Sequence, residues 1–140
     1  MTDDDIRRVL AGTRTIAVVG HSNKPGRDSY RIGLYLRAEG YRVYAVNPNI
    51  LEVFGQPAYP SLAAVPEPID LVDVFRAPRY VAEVVTQAVA VGARAIWTQL
   101  GVTITAEDRI RLTRAGLEVI ENRCIKVEHR RLMRAPGTIV

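Results

Sequence analysis

The sequence predicts a single α/β domain in which a doubly wound, parallel, five-stranded sheet carries helices on both faces. Short apolar runs alternate with amphipathic stretches along the whole chain of 140 residues, and glycine or proline closes most of them. Strands that alternate with helices in so short a chain are joined by right-handed crossovers, which make the strands parallel. The five strands are predicted at residues 15–19, 42–46, 69–75, 93–99 and 117–121.

Capping residues and the helical spacing of apolar side chains indicate where the helices lie. Thr2, followed by three aspartates, predicts the start of a short helix over about residues 3–11. Asp28 or Ser29 is predicted to cap a second helix that Gly40 closes. Two more helices are predicted over residues 80–91 and 106–115, and a short C-terminal tail over about residues 132–140.

The composition is that of an ordinary soluble globular protein, with 48% hydrophobic and 24% charged residues. No apolar run approaches the roughly 20 residues that span a bilayer. The N-terminus, Met-Thr-Asp-Asp-Asp, is acidic where a signal peptide is basic. The single cysteine, Cys124, has no partner for an internal disulfide. These features predict a cytoplasmic protein that does not bind a membrane.

The formal net charge is +4, and 17 of the 19 basic residues are arginine. Arginine pairs well with phosphate and carboxylate groups, so the composition permits anion binding. The basic residues are spread along the chain, however, whereas nucleic-acid-binding proteins cluster them on one surface. The sequence therefore does not support nucleic-acid binding. It does not indicate whether the chain forms a homo-oligomer or has a protein partner.

Ligands of doubly wound sheets bind outside the carboxyl ends of the strands, so the residues that follow each strand form the candidate site. These residues are polar and cationic, and none of them is Asp or Glu. They are Gly20-His21-Ser22, Asn47-Pro48, Phe75-Arg76, Gln99-Leu100-Gly101 and Arg123-Cys124.

The segment after the first strand is typical of an anion site. The apolar run stops at Gly20, a polar loop with Lys24 and Arg27 follows, and a helix then begins. Unpaired N–H groups and the helix dipole therefore point into one crevice. The loop lacks the G-x-G-x-x-G pattern of dinucleotide-binding proteins, and Asn47 stands where an NAD site usually has an acid. Both departures disfavour NAD, and the two loop cations favour a ligand with an additional phosphate, such as coenzyme A or NADP.

The sequence carries no recognisable catalytic or metal-binding pattern, so no catalytic residue and no metal site are predicted. His21 has no Ser or Asp partner at triad-like positions, and the other histidine, His129, lies near the C-terminus. No two His or Cys residues stand at the spacing of zinc ligands. The segment Lys24-Pro25-Gly26 differs from a P-loop, in which the lysine follows the glycines.

Several stretches, in order along the chain, carry a resemblance to a known family. They are residues 16–22 (Ile-Ala-Val-Val-Gly-His-Ser) with Pro25 and Ser29-Tyr30, then residues 40–48, 69–76, 97–101 and 122–129. Over about residues 5–131 the chain resembles the stand-alone CoA-binding proteins. These are similar to the CoA-binding domain of the succinyl-CoA synthetase α-subunit and of the NDP-forming acyl-CoA synthetases. The resemblance implies a Rossmann-like fold and a site for coenzyme A or an acyl-CoA.

The resemblance also implies which residues contact the cofactor. The loop at residues 20–22 and the start of the following helix would take the phosphates, and residues 47–48 would lie near the adenosine. Side chains after the third and fourth strands would flank the cofactor. The candidate cofactor-binding residues are Gly20, His21, Ser22, Lys24, Arg27, Ser29, Tyr30, Asn47, Pro48, Phe75, Arg76, Gln99 and Cys124.

The function implied by this resemblance is non-catalytic binding of coenzyme A or an acyl-CoA, as a carrier or sensor. The catalytic phosphohistidine and the nucleotide-grasp domain of the multidomain synthetases are expected to be absent, and His129 is not assigned the phosphohistidine role. Two alternatives stay open. One is an NAD(P)-binding redox or sensor protein, and the other is a CoA-binding subunit of an acyl-CoA synthetase completed in trans.

Cys124 has three interpretations. It is a small buried residue at a strand end, or a thiol near the pantetheine end of coenzyme A that forms a mixed disulfide, or a nucleophile paired with His129. Arg123 and Lys126 are close in sequence and would favour the thiolate. The nucleophile interpretation lacks a third group to orient the pair.

Overall fold

Six parallel strands and one antiparallel strand form a seven-stranded sheet in the computed structural model, which describes residues 1–134. The strands are β1 (Thr15–Val19), β2 (Arg42–Val46), β3 (Glu52–Val53), β4 (Gln56–Tyr59), β5 (Leu71–Val74), β6 (Ala95–Thr98) and β7 (Glu118–Ile120). Their order across the sheet is β3-β4-β2-β1-β5-β6-β7. Neighbouring strands run parallel except β3, which is antiparallel to β4. The prediction of a parallel α/β sheet is confirmed.

The predicted number of strands is wrong, because β3 and β4 extend the sheet beyond the five that the sequence indicates. Both lie in the segment between β2 and β5, which is rich in proline and turn residues. β3 has two residues, and β4 has Pro57 as its second residue. Proline donates no ladder hydrogen bond and is confined to strand starts and sheet margins. Neither strand therefore shows the apolar alternation by which a strand is recognised.

Residues 1–134 contain five α-helices, of which the second, third and fourth connect strands. They are α1 (Asp3–Gly12), α2 (Asp28–Ala38), α3 (Val81–Ala90), α4 (Ala106–Arg114) and α5 (Ile125–Met133). The sequence predicted no helix where α5 lies, and a tail from about residue 132. Helix α5 includes the first two of those tail residues, and residues 135–140 lie outside the described part of the chain. None of these helices is long and apolar enough to cross a membrane.

Side-chain caps confirm two predicted helix starts and correct a third. Thr2 Oγ1 accepts a hydrogen bond from the Asp5 amide at 3.1 Å, and the Asp5 carboxylate accepts one from the Thr2 amide at 3.0 Å, which is a reciprocal capping box. Thr105 caps α4 through the amide of Asp108. At α2 the prediction of Asp28 or Ser29 as cap is wrong, because Arg27 occupies that position.

The apolar side chains of the sheet alternate between two cores, one on each face. Ile16 and Val18 of β1 pack with α1, α2 and α5, whereas Ala17 and Val19 pack with α3 and α4. Every residue of β1 is buried, as expected of a parallel strand covered on both faces. The doubly wound arrangement with helices on both faces is confirmed.

The direction of strand addition reverses between β1 and β5. The chain passes from β1 to β2 on one side of the sheet, and from β5 to β6 on the other, while β1 and β5 pair with each other. In open α/β sheets this reversal leaves a crevice outside the carboxyl ends of the two strands, where ligands bind. The fold therefore puts the residues after β1 and β5 at the centre of the candidate site.

Candidate functional site

Two clefts lie at the carboxyl ends of the strands and join into one crevice. The first, which we call the polar cleft, has a volume of about 740 Å³ and is lined by Gly20, Ser22, Asn23, Lys24, Gly26, Arg27, Asp28, Ser29, Asn47, Asn49, Ile50, Phe75 and Arg76. The second, the apolar cleft, has a volume of about 520 Å³ and is lined by Asp28, Arg31, Ile32, Phe75, Arg76, Ala77, Pro78, Gln99, Leu100, Val102, Cys124 and Lys126. Asp28, Phe75 and Arg76 line both.

The backbone at Gly20 allows β1 and β5 to approach at the switch point. Gly20 has a φ of 89°, and its amide donates to the carbonyl of Val46 at 2.8 Å. A Cβ atom at this position would lie 2.7 Å from the carbonyl oxygen of Phe75. Only glycine satisfies both the positive φ and the close contact, so the predicted place of Gly20 in the site has a structural basis.

The loop after β1 folds back onto the start of α2. The Ser22 amide donates to Ser29 Oγ at 2.9 Å, and the Lys24 amide donates to Ser22 Oγ at 3.0 Å. Ser29 therefore holds the loop instead of capping the helix. Among the described residues no side chain caps α2 at Arg27, and this uncapped helix start lines the polar cleft beside Lys24. Such a helix start attracts anions.

Asn47 organises the turn after β2. Its Nδ2 donates to the carbonyl of His21 at 3.0 Å, and its Oδ1 accepts from the amide of Asn49 at 2.9 Å. Asn47 lines the polar cleft as predicted, but its amide already ties two loops together. Pro48 is exposed and lies outside the residues that line the two clefts.

The side chain of His21 does not reach the crevice, which corrects its prediction as a cofactor contact. His21 is fully buried, with Nδ1 2.8 Å from the carbonyl of Ser22 and Nε2 2.9 Å from an Arg37 nitrogen. Because arginine only donates, Nε2 accepts and Nδ1 carries the proton. Burial, assisted by the Arg37 charge, lowers the pKa of His21 to about 4.

Tyr30 is also turned away from the crevice, because it packs on a residue that the sequence analysis did not select. Its ring centroid lies 4.6 Å from that of Phe54, and the Arg37 guanidinium lies 4.8 Å from the same Phe54 ring. Tyr30 lines neither cleft. Phe54 follows β3 with a φ of 55°. The local sequence contains no pattern from which its contact with Tyr30 of α2 could be predicted.

Arg76 stands where the two clefts meet. Its guanidinium carbon lies 4.1 Å from the centre of the Tyr80 ring, a cation–π contact that limits the freedom of the side chain. Phe75 precedes it directly after β5 and also lines both clefts. The pair therefore occupies the junction of the crevice, as its sequence position predicts.

Gln99 and Cys124 line the apolar cleft. The Gln99 side chain donates to Asp73 Oδ1 and accepts from the amide of Ile125 at 3.3 Å. It thus joins β5 to the start of α5. Cys124 precedes that helix and is half-buried. The Cys124 side chain is therefore accessible from the apolar cleft. The interpretation of Cys124 as a purely buried residue is wrong.

Asp73 is an acidic residue close to the site that the sequence-based prediction did not include. It is completely buried within β5, and its Oδ2 has no hydrogen-bond partner among the described residues. Burial raises the pKa of its carboxyl to about 8, although the hydrogen bond from Gln99 opposes the rise. An acid inside the apolar run Leu-Val-Asp-Val was the available signal. A second acid, Glu121, directly follows β7, so the prediction that no acid stands at a strand end is wrong.

Other surfaces fit a ligand less well. A cleft of about 560 Å³ lies at the opposite edge of the sheet, near Gly12, Gly92 and Gly116, where the amino ends of the strands lie and doubly wound sheets do not bind ligands. Within residues 1–134 no group of three His, Cys, Asp or Glu side chains could hold a metal ion.

Comparison of the sequence and the fold with known proteins identifies the family of this chain. A family model described as a CoA binding domain matches residues 14–130. The chain is 35% identical over 125 residues to the protein YneT of Bacillus subtilis (strain 168), covering 89% of this chain and 92% of that protein. A protein from Pyrococcus horikoshii OT3 of known structure is 42% identical and superposes with a TM-score of 0.90, covering 96% of this chain and 94% of that one.

A larger relative contains a region of the same kind. The ADP-forming acetate–CoA ligase II of Archaeoglobus fulgidus is 25% identical over 123 residues, which are 86% of this chain but 18% of the ligase. The chain thus corresponds to a small part of that enzyme, and the resemblance seen in the sequence is confirmed. The chain belongs to the family of CoA-binding domains.

Proposed function

We propose that this protein binds coenzyme A or an acyl-CoA in the crevice at the carboxyl ends of its strands. The observation that carries the proposal is the joining of a polar, cationic cleft to an apolar one at the switch point. Coenzyme A has the same two-part chemistry, with three phosphates on an adenosine and a long, weakly polar pantetheine arm.

The charges of the crevice support this orientation of the ligand. Lys24, Arg27 and Arg76 line the polar cleft together with the uncapped start of α2, so the phosphates belong there. Leu100, Val102 and Cys124 line the apolar cleft. The pantetheine arm would follow this cleft and bring its sulfur toward Cys124.

The binding role that we propose is non-catalytic, as a carrier or sensor. His21 is buried and neutral, and it already contacts Ser22 and Arg37. His129 Nδ1 lies 2.8 Å from the Tyr35 hydroxyl, and His129 lines neither cleft. Neither imidazole is placed to activate a group in the crevice, which supports binding without chemistry.

Coenzyme A is expected to raise the melting temperature of the protein. A ligand at 100 times its Kd adds about 2.7 kcal/mol to the free energy of unfolding, which corresponds to roughly 9 °C for a domain of this size. Differential scanning fluorimetry measures the shift. Dephospho-CoA should give a smaller shift, because it lacks the additional phosphate for which the polar cleft has cations. A shift with NAD or NADP and none with coenzyme A would refute the proposal and favour the nucleotide-binding alternative.

Arg76→Ala is expected to weaken coenzyme A binding by about tenfold or more, because a charge-assisted contact at the junction of the clefts is lost. Isothermal titration calorimetry gives the two Kd values. Arg79→Ala is the matched control, since Arg79 is exposed, contacts the same Tyr80 ring at 4.8 Å and lines neither cleft. Equal losses in both variants would mean that Arg76 acts only through the general positive charge.

A further inference from the structure

The crevice continues beyond Cys124 into a third cleft, which we call the distal cleft. It has a volume of about 410 Å³ and is lined by Leu100, Glu121, Asn122, Arg123, Cys124, Val127 and Glu128. Leu100 and Cys124 line both this cleft and the apolar cleft. A ligand whose sulfur reaches Cys124 therefore has the distal cleft directly ahead of it.

Two large apolar side chains of the distal cleft are exposed to solvent. The exposed fraction of Leu100 is 69% and that of Val127 is 56%. The loop that carries Leu100 is well held, because the Gly101 amide donates to Asn122 Oδ1 at 2.8 Å and the Val102 amide donates to the Gln99 carbonyl at 3.0 Å. The exposed leucine is thus presented by an ordered turn.

The carboxylates of the distal cleft are compensated by arginines. Glu128 lies 3.6 Å from Arg123 and 2.5 Å from Arg131, and Glu121 pairs with Arg109. These ion pairs leave the apolar side chains as the surface that gains most by contact with a ligand. Covering an apolar side chain is favourable in proportion to the area removed from water.

We propose that the distal cleft holds the aliphatic acyl group of a CoA thioester, with Leu100 and Val127 in contact with the chain. The inference rests on the proposed binding of coenzyme A, which brings the thioester sulfur to Cys124. A free thiol would end at Cys124 and leave Val127 uncovered. The protein is therefore a receptor for acyl-CoA with an aliphatic chain of several carbons, and it binds acetyl-CoA and free coenzyme A less tightly.

Isothermal titration calorimetry with coenzyme A, acetyl-CoA and hexanoyl-CoA tests this inference. Hexanoyl-CoA has four more methylenes than acetyl-CoA, and each half-buried methylene contributes about a twofold gain. We expect hexanoyl-CoA to bind roughly 15-fold more tightly than acetyl-CoA. Equal affinities of the two thioesters would overturn the acyl site and leave coenzyme A binding intact, whereas no binding of any of the three compounds would overturn both proposals.

Val127→Ser is the variant that isolates the distal cleft, since Val127 lines it and not the other two clefts. We expect the preference for hexanoyl-CoA over acetyl-CoA to fall about threefold, with the Kd of free coenzyme A unchanged. Val127→Ile should retain the preference. Ile110→Ser is the control, because Ile110 is half exposed on α4 and lines none of the three clefts. A preference that Val127→Ser does not alter would contradict the assignment.

Discussion

Substitution of Gly33 by alanine is expected to lower the free energy of unfolding by about 3 kcal/mol, the upper range for overpacking of a core. A Cβ atom on Gly33 would lie 2.2 Å from Nε2 of His21 and 2.9 Å from two carbons of the same ring. The ring has little freedom to move, because Ser22 and Arg37 hold its two nitrogens. Urea denaturation measures the loss. In an ordinary helix the same change would stabilise the protein by about 0.5–1 kcal/mol.

Two further variants separate this contact from the general effects of glycine. Gly12→Ala, at the end of α1, meets no atom within 4 Å and should change the stability by less than about 0.5 kcal/mol. In a His21→Ala background the clash is removed, so Gly33→Ala should become neutral or stabilising. A penalty that stays the same in that background would show that the His21 ring is not its cause.

The central fold could be predicted because its signals are local. The run at Thr15–Val19 ends at Gly20, and Asn47-Pro48 stops the next strand, so each strand end is readable without knowledge of its neighbours. The strands β3 and β4 were not predicted, because both are short (Glu52–Val53 and Gln56–Tyr59) and neither has an apolar alternation of its own. They are stabilised by pairing with each other and with β2. Tertiary context decides such elements.

The candidate site was predictable as a set of strand ends, and less so as a set of side chains. Parallel strands bring their carboxyl ends to one edge, which correctly placed Phe75, Arg76 and Gln99 around one crevice. The burial of His21 depends on a gap at Gly33, twelve positions away on the facing helix. Sequence alone does not show which neighbour leaves room for a loop side chain, so that contact required the structure.

Asp73→Asn is expected to make the protein more stable relative to the wild type as the pH rises. The Asp73 carboxyl is fully buried beside Gln99, and one oxygen has no partner among residues 1–134. Burial raises its pKa from 3.8 to about 8. Between these values the folded protein keeps a proton that the unfolded chain has lost, so the stability of the wild type falls as the pH rises through this window. Asparagine has no proton to lose.

The measurement is the free energy of unfolding of both proteins in urea at pH 5, 6, 7 and 8. The difference between Asp73→Asn and wild type should grow by up to about 1.4 kcal/mol per pH unit and level off near pH 8. His21, whose pKa is lowered to about 4 by burial, destabilises both proteins alike as the pH falls below 6.5, and its contribution cancels in the difference.

Asp4→Asn, which removes an exposed carboxylate on α1, controls for the loss of one negative charge. A difference between Asp73→Asn and wild type that is constant from pH 5 to 8 would mean that Asp73 is ionised in the folded protein. A compensating cation or water would then have to reach Oδ2, and the apolar surroundings of β5 would be more open to solvent than their burial indicates.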